Sequence, residues 1–130
     1  MSTVISTHSN IELVYQADSS ILIVRIHGFQ KAENAVKSKV MLNELIDQKK
    51  IRLILVNQKD IKVLSKEMQL FIAGYASEIV QKGIRKMAVV LPEDLFALAG
   101  VNKIHSETKI PDLEMKTFTS EERGLNWLRE

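Results

Sequence analysis

The sequence predicts an α/β domain in which a mostly parallel sheet alternates with helices, and three observations carry that prediction. Residues 52–56 form a short aliphatic run (Leu53, Ile54, Leu55, Val56) bounded by polar residues, the pattern of a strand buried on both faces. Met68, Phe71, Ile72, Tyr75 and Ile79 follow at i, i+3, i+4, i+7 and i+11 and so fall on one helical stripe. A second aliphatic run over 86–91 then returns to strand character and stops at Pro92. Strand, polar loop, helix, strand is the repeating unit of such a fold.

Each further element is read the same way. Residues 1–10 are small and polar apart from Val4 and Ile5, so they are either frayed or a short edge strand. Ile11, Leu13 and Tyr15 alternate with Glu12, Val14 and Gln16, as in a strand with one wet face, and Asp18, Ser19 and Ser20 supply turn chemistry. The run 21–26 is apolar on both parities and makes the second arm of an antiparallel hairpin, nearer the sheet centre. Residues 31–50 are helical. At about 100° per residue, Ala32, Ala35, Val36, Val40, Leu42 and Ile46 share the core face, while Met41 and Leu45 point away from it. Asn57, Gln58, Lys59 and Asp60 are expected to end the central strand in a loop, after which Ser65 opens the second helix.

Past Pro92, Glu93 and Asp94 sit where the dipole of a third helix favours acids. That helix is apolar all round: Leu95, Phe96, Leu98, Val101 and Ile104, with Ala97 and Ala99, leave no face for water. Leu113, Met115 and Thr117 alternate with Glu114, Lys116 and Phe118 in an edge-like strand. Thr119 and Ser120 precede Glu121 and Glu122 in a capping-box arrangement, and a last helix carries Leu125, Trp127 and Leu128. The order is ββαβαβαβα, a five-stranded sheet whose strands pair in parallel through right-handed crossovers, apart from the first hairpin. Residues 11–130 form one domain.

Composition narrows the function. With 130 residues the chain suits one core, and 45% apolar with 26% charged residues is an ordinary globular balance. Cysteine is absent, which excludes disulfides, thiolate zinc sites and cysteine nucleophiles. Aliphatic runs are far shorter than the roughly 20 residues that cross a bilayer, and residues 1–10 lack a secretory pattern, so a cytoplasmic protein is expected. A net charge of +2 is too balanced to argue for nucleic acid. No glycine-rich phosphate loop or nucleophile elbow is present, and His8, His27 and His105 are too dispersed for a metal site. No catalytic residue, metal or cofactor is expected; helix capping accounts for Glu93 and Asp94.

Three stretches are more individual: Val24-Arg25-Ile26-His27-Gly28, Lys86-Met87-Ala88-Val89-Val90, and the ending Phe118-Thr119-Ser120-Glu121-Glu122-Arg123-Gly124-Leu125-Asn126-Trp127-Leu128. With the element order, they make residues 11–130 resemble the STAS domains (sulfate transporter and anti-sigma-factor antagonist), especially bacterial single-domain relatives. The resemblance implies a βα superhelix serving as a binding or regulatory module without cofactor or catalysis. In the sporulation-type antagonists a serine after a strand-to-helix loop is phosphorylated by a partner kinase, and the matching position here is Ser65. Such proteins carry an aspartate, one or two serines and a glycine there, whereas this chain reads Leu64-Ser65-Lys66-Glu67. Ser65 also fits a plain helix N-cap, contributing about 1 kcal/mol.

Two surfaces are expected. Lys49, Lys50, Arg52, Lys82, Arg85, Lys86, Lys103 and Lys109 share the rim where helices return to strands, a placement that helix dipoles also explain. The opposite, carboxyl rim gathers Gly28, Phe29 and Gln30, the 57–65 loop with Asp60, residues 92–94, and Thr119 and Ser120, where open α/β sheets usually bind ligands. Leu95, Phe96, Leu98, Ala99 and Val101 start from that rim, and with Phe29 and Asp60 form the candidate partner surface. If the helices lie mainly on one side of the sheet, its other side also needs a cover. The occupant is expected to be a protein partner or a second copy of the chain. A small apolar molecule is the alternative, by analogy with the lipid-binding CRAL-TRIO domains.

Overall fold

The computed structural model describes residues 2–8, 11–29, 32–63, 66–93, 98–99 and 110–130. Its strands are β1 (Ser2–His8), β2 (Ile11–Gln16), β3 (Ile21–Phe29), β4 (Leu53–Val63), β5 (Lys86–Val90) and β6 (Glu114–Phe118). The helices described from end to end are α1 (Ala32–Lys49), α2 (Lys66–Gln81) and α3 (Glu121–Leu128). The strands lie in one sheet in the order β1-β2-β3-β4-β5-β6. β1, β2 and β3 pair antiparallel; β3 to β6 pair parallel. All five expected strands are present. Ser2–His8 adds a sixth at the edge, with a register shift between Val4 and Ser6.

The two-sided aliphatic runs explain why β3, β4 and β5 occupy the interior: each must bury alternate residues on opposite faces. Leu22, Val24, Ile54, Met87 and Val89 face α1 and α2, against Leu42, Leu45, Ile46 and Ile79. Ile21, Ile23, Leu55, Ala88 and Val90 face the other way and pack with Val14, Trp127 and Leu128. α3 therefore covers the second face, and Ile21, Ile23 and Leu55 beneath it are at most 1% exposed. The expectation that this face needs an outside cover is corrected: the chain's own last helix supplies it. The same packing makes β2 two-sided, because Val14, assigned above to the wet side, is buried.

Two further expectations change. In α1 the core stripe is Ser38, Leu42, Leu45 and Ile46, with Met41 packed beside it, whereas Val40 is 55% exposed. Residues 38, 41, 42, 45 and 46 follow the i, i+3, i+4, i+7, i+8 pattern, but its first member is a serine. β4 is not ended by Asn57; it continues to Val63, because β3 also extends and accepts its backbone hydrogen bonds. Residues 57–63 are thus strand, not loop. The all-round apolar helix lies outside the described residues except for Leu98 and Ala99, which are helical, the first half-buried and the second exposed. No described helix is long and apolar enough to cross a membrane.

Candidate interaction rim

Parallel strands finish at one rim, and there β3 and β4 outrun their neighbours. The described pairing of β3 with β2 stops at Ile26 and that of β4 with β5 at Asn57, yet β3 and β4 stay paired to Phe29 and Val63. Register shifts fall between Arg25 and His27 and between Gly28 and Phe29. Such irregularities re-aim side chains. Here Gln58 and Ile61 remain buried and anchor the ribbon, while Lys59 and Asp60 turn outward. Asp60 Oδ2 lies 3.1 Å from His27 Nδ1, both side chains being exposed. Lys59 Nζ sits 3.5 Å from Glu93 Oε1, and the Glu93 N–H donates to the Lys59 carbonyl at 3.2 Å.

On the α3 side of the ribbon's base lies a half-buried polar network. Arg25, midway along β3, is in phase with Ile21 and Ile23 and so lies on the same face as these buried residues. Its guanidinium is then held on two sides. Nη1 donates to Glu12 Oε1 at 2.7 Å, directly across the β2–β3 pair. Nε and Nη2 donate to the two oxygens of Glu121 at 3.1 and 2.8 Å, a bidentate geometry. Asn57 Nδ2 donates to Glu121 Oε2 at 2.8 Å, and its Oδ1 accepts from the Lys59 N–H at 3.0 Å. Ser120 caps α3, accepting from the Arg123 N–H at 3.3 Å. The residue at the box's partner position is Arg123, and Glu121 is turned toward Arg25 instead of back to the cap.

These contacts fix the charges. The Arg25 hydrogen bonds hold the Glu121 carboxyl below the usual carboxylate range, with Asn57 adding to the effect and burial opposing it. The two carboxylates in turn hold the Arg25 proton more firmly than usual. In the network Glu12 and Glu121 face one guanidinium, that of Arg25, while on the ribbon Asp60 and Glu93 stand beside His27 and Lys59. Among the described residues, no group of three or more His, Cys, Asp or Glu is placed to hold a metal ion. The described residues of the rim present oriented hydrogen-bonding groups.

No family model matches the chain, and no curated protein matches it. Solved structures do. An uncharacterized DUF3478-family protein with a SpoIIAA-like fold from Shewanella loihica PV-4 superposes with a TM-score of 0.61 at 16% identity, covering 97% of this chain and 98% of that one. SiaC of Pseudomonas aeruginosa superposes with a TM-score of 0.50 at 11% identity, covering 91% and 99%. The chain has a SpoIIAA-like fold, of the STAS-like type that its sequence resembles. At these identities the likeness concerns fold.

On this STAS-like frame the sequence-predicted site residues separate into two groups. Asp60 stands exposed on the projecting ribbon, and Phe29 ends β3 with its backbone paired to Val63. Ser65, Leu95, Phe96 and Val101 lie outside the described residues, and Leu98 and Ala99 are the only members of the apolar helix within them. The reading from sequence missed Arg25, Asn57, Glu12, Glu121 and His27. Arg25 carried a signal: a charge in phase with buried Ile21 and Ile23 requires partners.

Proposed function

We propose that the chain is a non-catalytic regulatory module that acts in the cytoplasm by binding a protein partner at its carboxyl rim. The observation that supports this is the β3–β4 ribbon, which projects past both neighbouring strands and carries an exposed His27–Asp60 pair on a buried Ile61 anchor. A parallel two-stranded ribbon is normally covered on its faces, so one that extends beyond the sheet is suited to receive another surface. On this reading Ser65, two residues after the ribbon's last pair, is the position whose phosphorylation would change the charge beside the ribbon and so control the partner. Leu95, Phe96, Leu98, Ala99 and Val101 would extend the contact with apolar area. Nothing among the described residues favours an apolar small molecule in place of a protein.

The test is a binding measurement with the partner recovered by cross-linking and then purified. Asp60→Lys combined with Glu93→Lys is expected to weaken it at least about tenfold, or ~1.4 kcal/mol. Lys50→Glu on the opposite rim is expected to leave it within about twofold. Equal losses from both rims, or a loss from Lys50→Glu alone, would overturn the assignment.

A further inference from the structure

The amino rim, opposite the proposed docking surface, holds a hollow of about 280 Å³ lined by Ile46, Asp47, Lys50, Ile51, Arg52, Lys82 and Gly83. It forms where α1 and α2 return to the sheet, and two left-handed residues shape it: Lys50 at φ 52° and Gly83 at φ 112°. Its aliphatic floor is rigid, since Ile46 and Ile51 are at most 1% exposed. Its charges are not all committed. Lys82 Nζ meets both oxygens of Asp47, at 3.1 and 2.9 Å, so that pair is neutral. Lys50 and Arg52 are exposed, and among the described residues no hydrogen bond or ion pair engages their side chains.

Cations at this rim are expected merely from the helix dipoles, but other groups already serve that purpose. The Ile46 carbonyl accepts from the Ile51 N–H, and those of Ile79 and Val80 accept from Lys82, Gly83 and Ile84. Arg85 Nη1 adds a bond of 2.8 Å to the Val80 carbonyl. Arg85, not Lys50 or Arg52, is the cation that closes a helix end.

We infer that this hollow binds the phosphate group of a small phosphomonoester. Two uncommitted cations balance the charge of about −1.5 to −2 that such a group carries at neutral pH. A guanidinium beside an ammonium supplies planar, bidentate donors together with a point charge. The volume, about 280 Å³, falls just below the usual range of ligand sites, about 300–1,000 Å³, and so suits a phosphate with no more than a few carbons. The assignment does not depend on the carboxyl-rim reading.

The test is a backbone-amide NMR titration of the full chain with inorganic phosphate and with glycerol 3-phosphate, against sodium chloride at matched ionic strength. Saturable shifts confined to 46–52 and 82–83 are expected from both phosphates and not from chloride. Arg52→Gln is expected to weaken them at least about tenfold, while Lys59→Gln on the far rim leaves them unchanged. Shifts that chloride reproduces, that spread over surface lysines generally, or that survive Arg52→Gln would overturn the site. A phosphoserine peptide that binds where glycerol 3-phosphate does not would overturn the small-molecule assignment.

Discussion

Glu121 shows how one side chain joins three elements. It stands in the first turn of α3, takes a bidentate contact from Arg25 on β3, and accepts from Asn57 on β4. Replacing it with Gln keeps the shape but removes the charge that Arg25 faces, leaving a half-buried guanidinium with Glu12 alone. A loss of about 1–3 kcal/mol is expected at pH 7. The pH dependence has a definite sign. Because the folded-state value of Glu121 is depressed, its stabilisation is present above the ordinary carboxylate range and is lost as pH falls through the folded value. Denaturant melts of wild type and Glu121→Gln should therefore differ most near neutrality and converge in acid, as the pH falls through the depressed folded value. A gap that persists in acid would mean that the variant disturbs packing rather than an ion pair. None of this geometry was legible from spacing, because Arg25 and Glu121 are far apart in the chain and only the fold brings them together.

The elements themselves were largely readable, and besides the wet side assigned to β2, α1 and β4 were misread for physical reasons. α1 was placed a third of a turn out of phase because an apolar Val40 outranked a serine in the pattern. The structure buries Ser38 to 4% exposure and gives its hydroxyl no hydrogen-bond partner. A buried, unpaired hydroxyl costs about 1–3 kcal/mol, and alanine is also the better helix former. Ser38→Ala is therefore expected to stabilise the protein by about 0.5–2 kcal/mol, and Val40→Lys to change stability by less than about 0.5 kcal/mol. Leu45→Ala, at a position first read as pointing away from the core, should cost about 2–5 kcal/mol. Thermal or urea melts of the three variants decide the phase: a stabilising Ser38→Ala with a costly Val40→Lys would contradict it. β4 was cut short because Asn57 to Asp60 look like a loop. Polar residues in a strand are tolerated where a partner strand takes the backbone bonds and a register shift turns the side chains outward, and neither feature leaves a mark in hydropathy.

At the scale of the molecule, the winding of helices and strands was legible, but the covering of the sheet's second face was not. The short α3 carries its apolar residues in only two turns, too few to reveal from sequence which layer they close. The structure places Gly124 against that layer so closely that a Cβ there would lie 2.9 Å from Leu55 Cδ1 and 3.3 Å from Ala88 Cβ. Trp127 completes the contact, 5.7 Å from the Phe118 ring, with the ammonium groups of Lys86 and Lys116 at 5.1 and 5.5 Å from its own ring centre. A β-branched residue at 124 must push the helix off the sheet. Better helix propensity returns only a few tenths of a kcal/mol, whereas overpacking costs about 1–3 kcal/mol, so Gly124→Val is expected to destabilise. Its consequence separates two views of this face. If α3 is the only cover required, wild type has a melting temperature independent of protein concentration, and Gly124→Val, by uncovering Ile21, Ile23 and Leu55, gains dye binding and a concentration-dependent melt. If a second copy of the chain normally shields the same layer, wild type itself melts higher as concentration rises, and lifting α3 changes that slope little. Calorimetry of both proteins across a hundredfold dilution distinguishes the two outcomes, and a concentration-dependent wild type would show that the intramolecular cover is not enough.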